Sequence, residues 1–317
     1  MQRPHQVAGE FSAAHGSRIK VNALVLMMAL RLAGGSLALG GQRSPAVSGP
    51  AGRPPPAASA PARVSPARLP ARLQAIHWLP QGFRLRRAKA LPPPHDETIR
   101  YDIRYGVLGS IGSLRVSAGA LVAGGAQTVR LQGAGSGSVL GLGAMQSQLD
   151  AEFDTGLRGS RRWTYARGEA GAQTVDSGSW DAAGQAHLVR RKPGQPDEAY
   201  HFPAPLQTSD PLGLIWRLRM APPPLGASDT LQVVDGLATW RVHVTTVAVA
   251  DLVPESAPGT TALRLEGEVT PFFYDGRPDP DRKTRHFTLW LDHSPTHLPL
   301  RIAVPLGPAN LVIRLNP

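Results

Sequence analysis

The chain has 317 residues and no cysteine, which excludes disulfide staples, thiolate metal sites, a cysteine nucleophile and an acylated lipoprotein cysteine. Its formal charge of +11 would point to nucleic acid or an anionic surface, but the excess is local: through Asp96 thirteen Lys/Arg face two acids, and beyond it twenty-one face twenty-one. The part expected to fold is therefore neutral by count, which argues against a nucleic-acid-binding fold, because such a fold gathers Lys/Arg on one folded surface.

In chain order, Arg18 and Lys20 precede an apolar stretch from Val21 to Leu39, and small residues follow it. Charged, apolar, then small is the order of a secretory signal, so residues 1–42 read as a signal-like segment of an exported protein. The rival is an uncleaved inner-membrane anchor. Arg31, near the middle of the stretch, disfavours it, since a central Arg costs about 2.5–3.5 kcal/mol on insertion scales.

Residues 43–96 are dominated by Pro, Ala and Arg, as in Pro54-Pro55-Pro56 and Pro92-Pro93-Pro94. Such a composition buries too little apolar area to offset ordering entropy, so a disordered basic linker is expected. Leu73, Ile76, Trp78, Leu79 and Phe83, interspersed with arginines, offer a membrane or peptidoglycan contact, but they make no sustained helical stripe.

From 97 to 317 the texture becomes short alternating runs broken by Gly, Asp-Gly and Pro, and a single β-rich domain is expected. Ile99, Tyr101, Ile103 and Tyr105 share one face of a strictly alternating strand. Similar alternation marks 127–132, 146–154, 239–249, 262–269 and 284–291. Asp235-Gly236 and Asp275-Gly276 suit turns that need positive φ. One helix of about ten residues is expected over about 210–220, with Asp210 as cap, Pro211 at the first helical position and Pro222 as stop. Nine or ten strands with one helix predict a mainly β fold: an antiparallel curved sheet, open barrel or sandwich with the helix against one face.

The motifs that carry chemistry are weak. Gly133-Ala134-Gly135-Ser136-Gly137, with Gly141 and Gly143 beyond, lacks the following Gly-Lys-Ser/Thr of a phosphate loop and reads as a flexible hairpin connection. Asp292, His293 and His297 lack the helix that would make an i,i+4 metal site, because Pro295 and Pro299 forbid one. Asp275, Asp279 and Asp281 do not match a calcium loop. Asp150, Glu152 and Asp154 alternate along one strand, and as an acid/base set they would serve a hydrolase or transferase on envelope polymers; a solvent-facing strand surface opposite Leu149, Ala151 and Phe153 is the favoured reading, because alternation alone demands it. No catalytic residue, cofactor or metal ligand is assigned.

Several separated pieces resemble one bacterial family. They are the Tyr101-Asp102-Ile103-Arg104-Tyr105 strand with Gly106 and Gly109, the segment from Asp210 to Leu218, the Val234-Asp235-Gly236 turn, and a closing run of Leu289-Trp290-Leu291-Asp292, Leu298-Pro299-Leu300-Arg301-Ile302 and a last strand after Gly307. Over about 99–315 the chain is similar to domain of unknown function 3108. That resemblance implies an exported, β-rich protein in a periplasmic setting, sometimes tethered through a Pro-rich spacer. It supplies no catalytic residues, and by fold analogy it points to the open half-barrels of lipoprotein carriers.

The expectation is thus a non-enzymatic periplasmic binding or scaffolding protein that cradles a lipid, glycan or partner strand in the concave face of a sheet. Trp163, Trp180, Trp240 and Trp290 are its candidate lining residues, since ligand sites are mainly apolar with few polar anchors. A structural partner in an envelope complex, bound through an exposed strand edge, is the further alternative.

Overall fold

The computed structural model describes residues 96–316 apart from 124–125, 139–143, 157–158, 170–171, 182–183, 204–207, 237, 252–260 and 274–276. The signal-like segment, the basic linker up to residue 95, Gly141, Gly143 and the Asp275-Gly276 turn lie outside the described residues.

Fourteen strands form one antiparallel, curved and unclosed sheet. In chain order they are β1 (Glu97–Tyr105), β2 (Ser110–Ala123), β3 (Ala126–Ser138), β4 (Ala144–Asp154), β5 (Gly159–Glu169), β6 (Ala172–Trp180), β7 (Gln185–Arg191) and β8 (Glu198–Pro203), then β9 (Ser228–Asp235), β10 (Ala238–Asp251), β11 (Thr261–Phe272), β12 (Arg285–Asp292), β13 (Pro299–Leu306) and β14 (Ala309–Leu315). Two meanders run outward from a central seam where β1 pairs with β14, Tyr101 opposite Leu315 and Ile103 opposite Ile313. The expected mainly β, curved architecture with one helix holds, with more strands than the nine or ten expected.

Curvature has local causes. The register shifts at Ile103/Arg104, Glu152/Phe153, Thr246/Ala248 and Trp290/Leu291. Each such bulge increases the local twist and bends its strand. The glycine-rich run read as a flexible connection is instead the second half of β3, with Gly133–Gly137 in register with both β2 and β4. Close approach explains its composition: a Cβ at Gly137 would stand 2.7 Å from the Ile111 carbonyl oxygen.

The curl encloses α1 (Pro211–Met220), the one α-helix among the described residues. Asp210 caps it, accepting from the N–H groups of Leu212 (2.8 Å) and Gly213 (3.2 Å), and Pro211 takes a position whose missing N–H needs no intrahelical partner. Arg217 and Arg219 sit in the last turn, where the helix dipole favours cations. The helix is buried nearly all round, including both arginines, as expected of a helix inside a sheet rather than on its surface. Leu214 and Leu218, one turn apart and fully buried, anchor it in the core with Phe153, Leu131, Leu265 and Leu289.

The approach to the helix ties the two meanders together. Ser160 of β5 donates its N–H to the Thr208 carbonyl, while Ser209 exchanges backbone hydrogen bonds with Gln232 and Val234 of β9. Residues 208–210 thus bridge β5 and β9 at the base of the helix, and α1 enters the concave space from a fixed point.

Candidate functional site

Between α1 and the inner faces of β1, β2, β3, β13 and β14 lies a cleft of about 70 Å³. The sheet contributes Ile99, Tyr101, Leu114, Val116, Ala118, Leu131, Pro299, Ile302 and Ile313; the helix contributes Pro211, Leu212, Ile215, Trp216 and Arg219. Strand alternation produces this lining. Ile99 and Tyr101 point inward because Arg100 and Asp102 point outward, and the same alternation holds for Leu114 and Val116 around Arg115.

One charged pair stands at the rim. Arg219 is ion-paired through Nη1 with Glu97 and donates from Nη2 to the second Glu97 oxygen at 3.0 Å. It also donates from Nε to the Thr296 carbonyl at 2.8 Å, and its guanidinium lies over the Trp216 ring, 5.3 Å from the centroid. The last turn of the helix is thereby fastened to the first residue of β1 and to the turn before β13. Burial holds the Tyr101 phenol well above its ordinary range, with Arg219 opposing and Glu97 adding to the shift. Tyr101 therefore acts as a neutral, largely apolar wall. The Trp216 indole N–H is buried and has no hydrogen-bond partner among the described residues, as holds for Trp163, Trp180 and Trp240.

The four tryptophans singled out from the sequence lie elsewhere and are not brought together. Trp163 is in the core on β5, its ring filling the space over Gly178, where a Cβ would stand 2.6 Å from it. Trp180 packs at the margin of the same core. Trp240 is buried on β10 beneath the Arg282 guanidinium, 4.7 Å from its ring centroid, beside a small recess of about 20 Å³. Trp290 is half-buried on the outer face of β12, with Arg301 over it at 5.1 Å. The tryptophan that lines the cleft, Trp216, belongs to the helix. Its role depends on the helix lying inside the sheet, which the helix sequence alone does not reveal.

The carboxylates considered for acid/base work are each engaged. Asp150 accepts from Arg130 at 2.5 Å and from Gln132 at 2.8 Å; Glu152 is ion-paired with Arg162; Asp154 accepts from Arg161 and from the Gly156 N–H. Asp292 closes the turn between β12 and β13, accepting from the Leu298 N–H at 2.7 Å and from Ser294 Oγ at 2.8 Å. Among the described residues, no three His, Asp or Glu side chains group so as to hold a metal.

A buried polar cluster on β5–β7 went unforeseen. Asp176 accepts from Arg190 at 2.6 and 2.9 Å and is ion-paired with Arg167 at 3.0 Å. Its buried position is one the alternation pattern reserves for apolar residues.

Fold and cleft together define a curved, unclosed antiparallel sheet wrapped around a helix, with an apolar pocket between them. No family model matches the chain, that of domain of unknown function 3108 included, and no curated protein matches it. Solved structures do. One is a β-barrel-like protein of domain of unknown function 1849 from Brucella abortus, 9% identical, with 72% of this chain and 97% of that one covered and a TM-score of 0.44. Another, from Bacteroides fragilis, is described as an exported protein with a YmcC-like fold: 10% identical, 71% and 96% covered, TM-score 0.31. A third, described as a lipoprotein from Parabacteroides distasonis, is 6% identical, with 71% and 95% covered and a TM-score of 0.28.

Proposed function

We propose that the protein is a non-enzymatic binding protein of the bacterial cell envelope, and that the cleft under α1 receives the acyl chain of a lipid. The observation that carries this reading is the lining. It is aliphatic and aromatic apart from the Tyr101 hydroxyl and the pair Glu97 and Arg219, which satisfy each other. A glycan presents hydroxyls along its whole length and would leave them unpaired here at a cost of about 1–3 kcal/mol each, whereas an acyl chain gains about 0.8 kcal/mol per buried methylene. The present volume holds only a few methylenes, so a longer chain requires α1 to move outward from the Glu97 end. Export to the periplasm rests on the signal-like order of residues 18–40.

Native mass spectrometry of the protein purified from the periplasm without detergent tests the reading. Co-purified lipid, displaceable by added fatty acid, is expected. Bromostearate should quench the fluorescence of the wild type more than that of Trp216→Phe. A protein that is consistently empty and unquenched would sink it.

A further inference from the structure

We propose that the outer face of β1, β2, β13 and β14 docks on an anionic phospholipid surface. These are strands whose inner faces line the cleft, but the inference stands on the opposite side of the sheet and does not depend on what the cleft holds.

The observation is a segregation of arginines by partner. On outer faces elsewhere, Arg130, Arg161, Arg162, Arg191 and Arg264 are each ion-paired with a nearby carboxylate. Arg100, Arg104, Arg115, Arg301 and Arg314 have no ion pair among the described residues. The strand register makes these five contiguous. Arg100 stands opposite Arg115 across β1 and β2, and Arg314 opposite Arg301 across β13 and β14. Asp102, facing Arg314 across the seam, is the one carboxylate these four strands themselves place on this face, and it accepts from Asn316 Nδ2 at 3.1 Å; Asp96, just before β1, lies over Gly119 at the far end of β2. Like charges directly opposite on paired strands destabilise the sheet. Two such pairs side by side, on strands with a single outward carboxylate, mark a surface built for an external anion.

Two further observations favour a membrane as that anion. Arg301 leads to half-buried Trp290 on β12, and an aromatic ring beside arginines is the side-chain mixture that settles at the headgroup level of a bilayer. The nine Lys/Arg of residues 43–96, which remain once the signal-like segment is removed, precede β1 at the centre of the patch and add charge of the same sign beside it. A groove of about 500 Å³ between Arg100, Arg115, Gln148 and Asn316 gives a headgroup phosphate room to enter.

The test is co-sedimentation of the full chain with phosphatidylcholine vesicles, with and without 30% phosphatidylglycerol, at about 0.1 M salt. Wild type should bind the anionic vesicles and not the neutral ones. The triple variant Arg100→Gln, Arg115→Gln, Arg314→Gln should bind about a hundredfold more weakly, from about a factor of five per cation near such a surface. Removing three ion-paired arginines, Arg130→Gln, Arg162→Gln and Arg191→Gln, should leave binding within a factor of about three. Should the first triple variant fail to fold, Ala134→Glu, an exposed position opposite Arg115, should weaken binding by about fivefold or more. Undiminished binding by the first triple variant, or by Ala134→Glu in its place, overturns the proposal, because the tail alone would then account for it. Equal binding to neutral vesicles, or tighter binding to soluble polyphosphate than to vesicles, overturns the assignment to a membrane.

Discussion

Breaking the rim pair from one side should cost more than removing it from the other. In Glu97→Gln, Arg219 keeps its place, 8% exposed, with its charge supported by one neutral amide oxygen, the Thr296 carbonyl and the face of Trp216. Removing one partner of a fully buried pair costs about 3–5 kcal/mol. The Glu97 side chain is 27% exposed, so water can replace part of what is lost, and about 2 kcal/mol is the appropriate figure. In Arg219→Met the aliphatic stem is retained, Glu97 turns to solvent, and the cost should stay near 1 kcal/mol, mainly the lost contact with Trp216. The double variant should match Arg219→Met, because Glu97→Gln harms only when the arginine remains. In urea, with a slope of about 3 kcal/mol/M for a domain of this size, Glu97→Gln should lower the midpoint by about 0.7 M and Arg219→Met by about 0.3 M. If Glu97→Gln is neutral, or Arg219→Met is the more damaging, the pair does not fasten the helix as argued. The same series reports on access to the cleft: if α1 moves outward from this end, Glu97→Gln should release a bound fluorescent fatty acid faster than wild type.

Asp210 should be replaceable by Asn but not by Ala. Asn keeps an oxygen for the Leu212 and Gly213 N–H groups and offers Ser160 a donor, whereas Ala removes the cap and strands the Ser160 hydroxyl, at about 2–4 kcal/mol by thermal unfolding. Burial raises the Asp210 carboxyl above its ordinary value, against the hydrogen bonds from Ser160, Gly213 and Leu212. Its stabilising contribution is therefore complete below the unfolded pKa of about 4 and is lost as pH rises through the raised folded value. Wild-type stability should fall over that interval, and the Asp210→Asn profile, measured by urea midpoint against pH, should be flatter. Asp176→Asn, which leaves Arg167 and Arg190 facing each other in the core, should cost about 3–5 kcal/mol. Gly267→Ala should cost at least about 1–3 kcal/mol, because its Cβ would stand 2.0 Å from the Phe287 ring, and Phe287→Leu in the same chain should recover part of the loss in a thermal melt.

The elements legible in the sequence were those whose signals are local. Asp210-Pro211 marks the helix start because capping involves only the next three residues, and β1 was visible because Ile99, Tyr101 and Ile103 all meet apolar neighbours. Strands β5 to β8 were not named individually, and the inner face of β6 shows why. Its inward positions are Asp176, neutralised by two arginines from neighbouring strands, and Gly178, whose missing side chain is supplied by Trp163 from β5. Both positions are buried, yet neither reads as apolar, since what fills each of them comes from another strand.

The same dependence on partners governs charge. Beyond Asp96 the counts of basic and acidic residues are equal, so the folded part reads as neutral by count. Register decides how they are distributed. Arg130 and Arg162 are cancelled because Asp150 and Glu152 lie within reach on β4, whereas Arg100, Arg115, Arg301 and Arg314 fall on strands with a single outward carboxylate. The seam that gathers them exists only because β1 pairs with β14, a contact across more than two hundred residues that no local pattern announces. A net count constrains the total field of a domain but not its direction, which is set by the strands on which the balancing carboxylates fall.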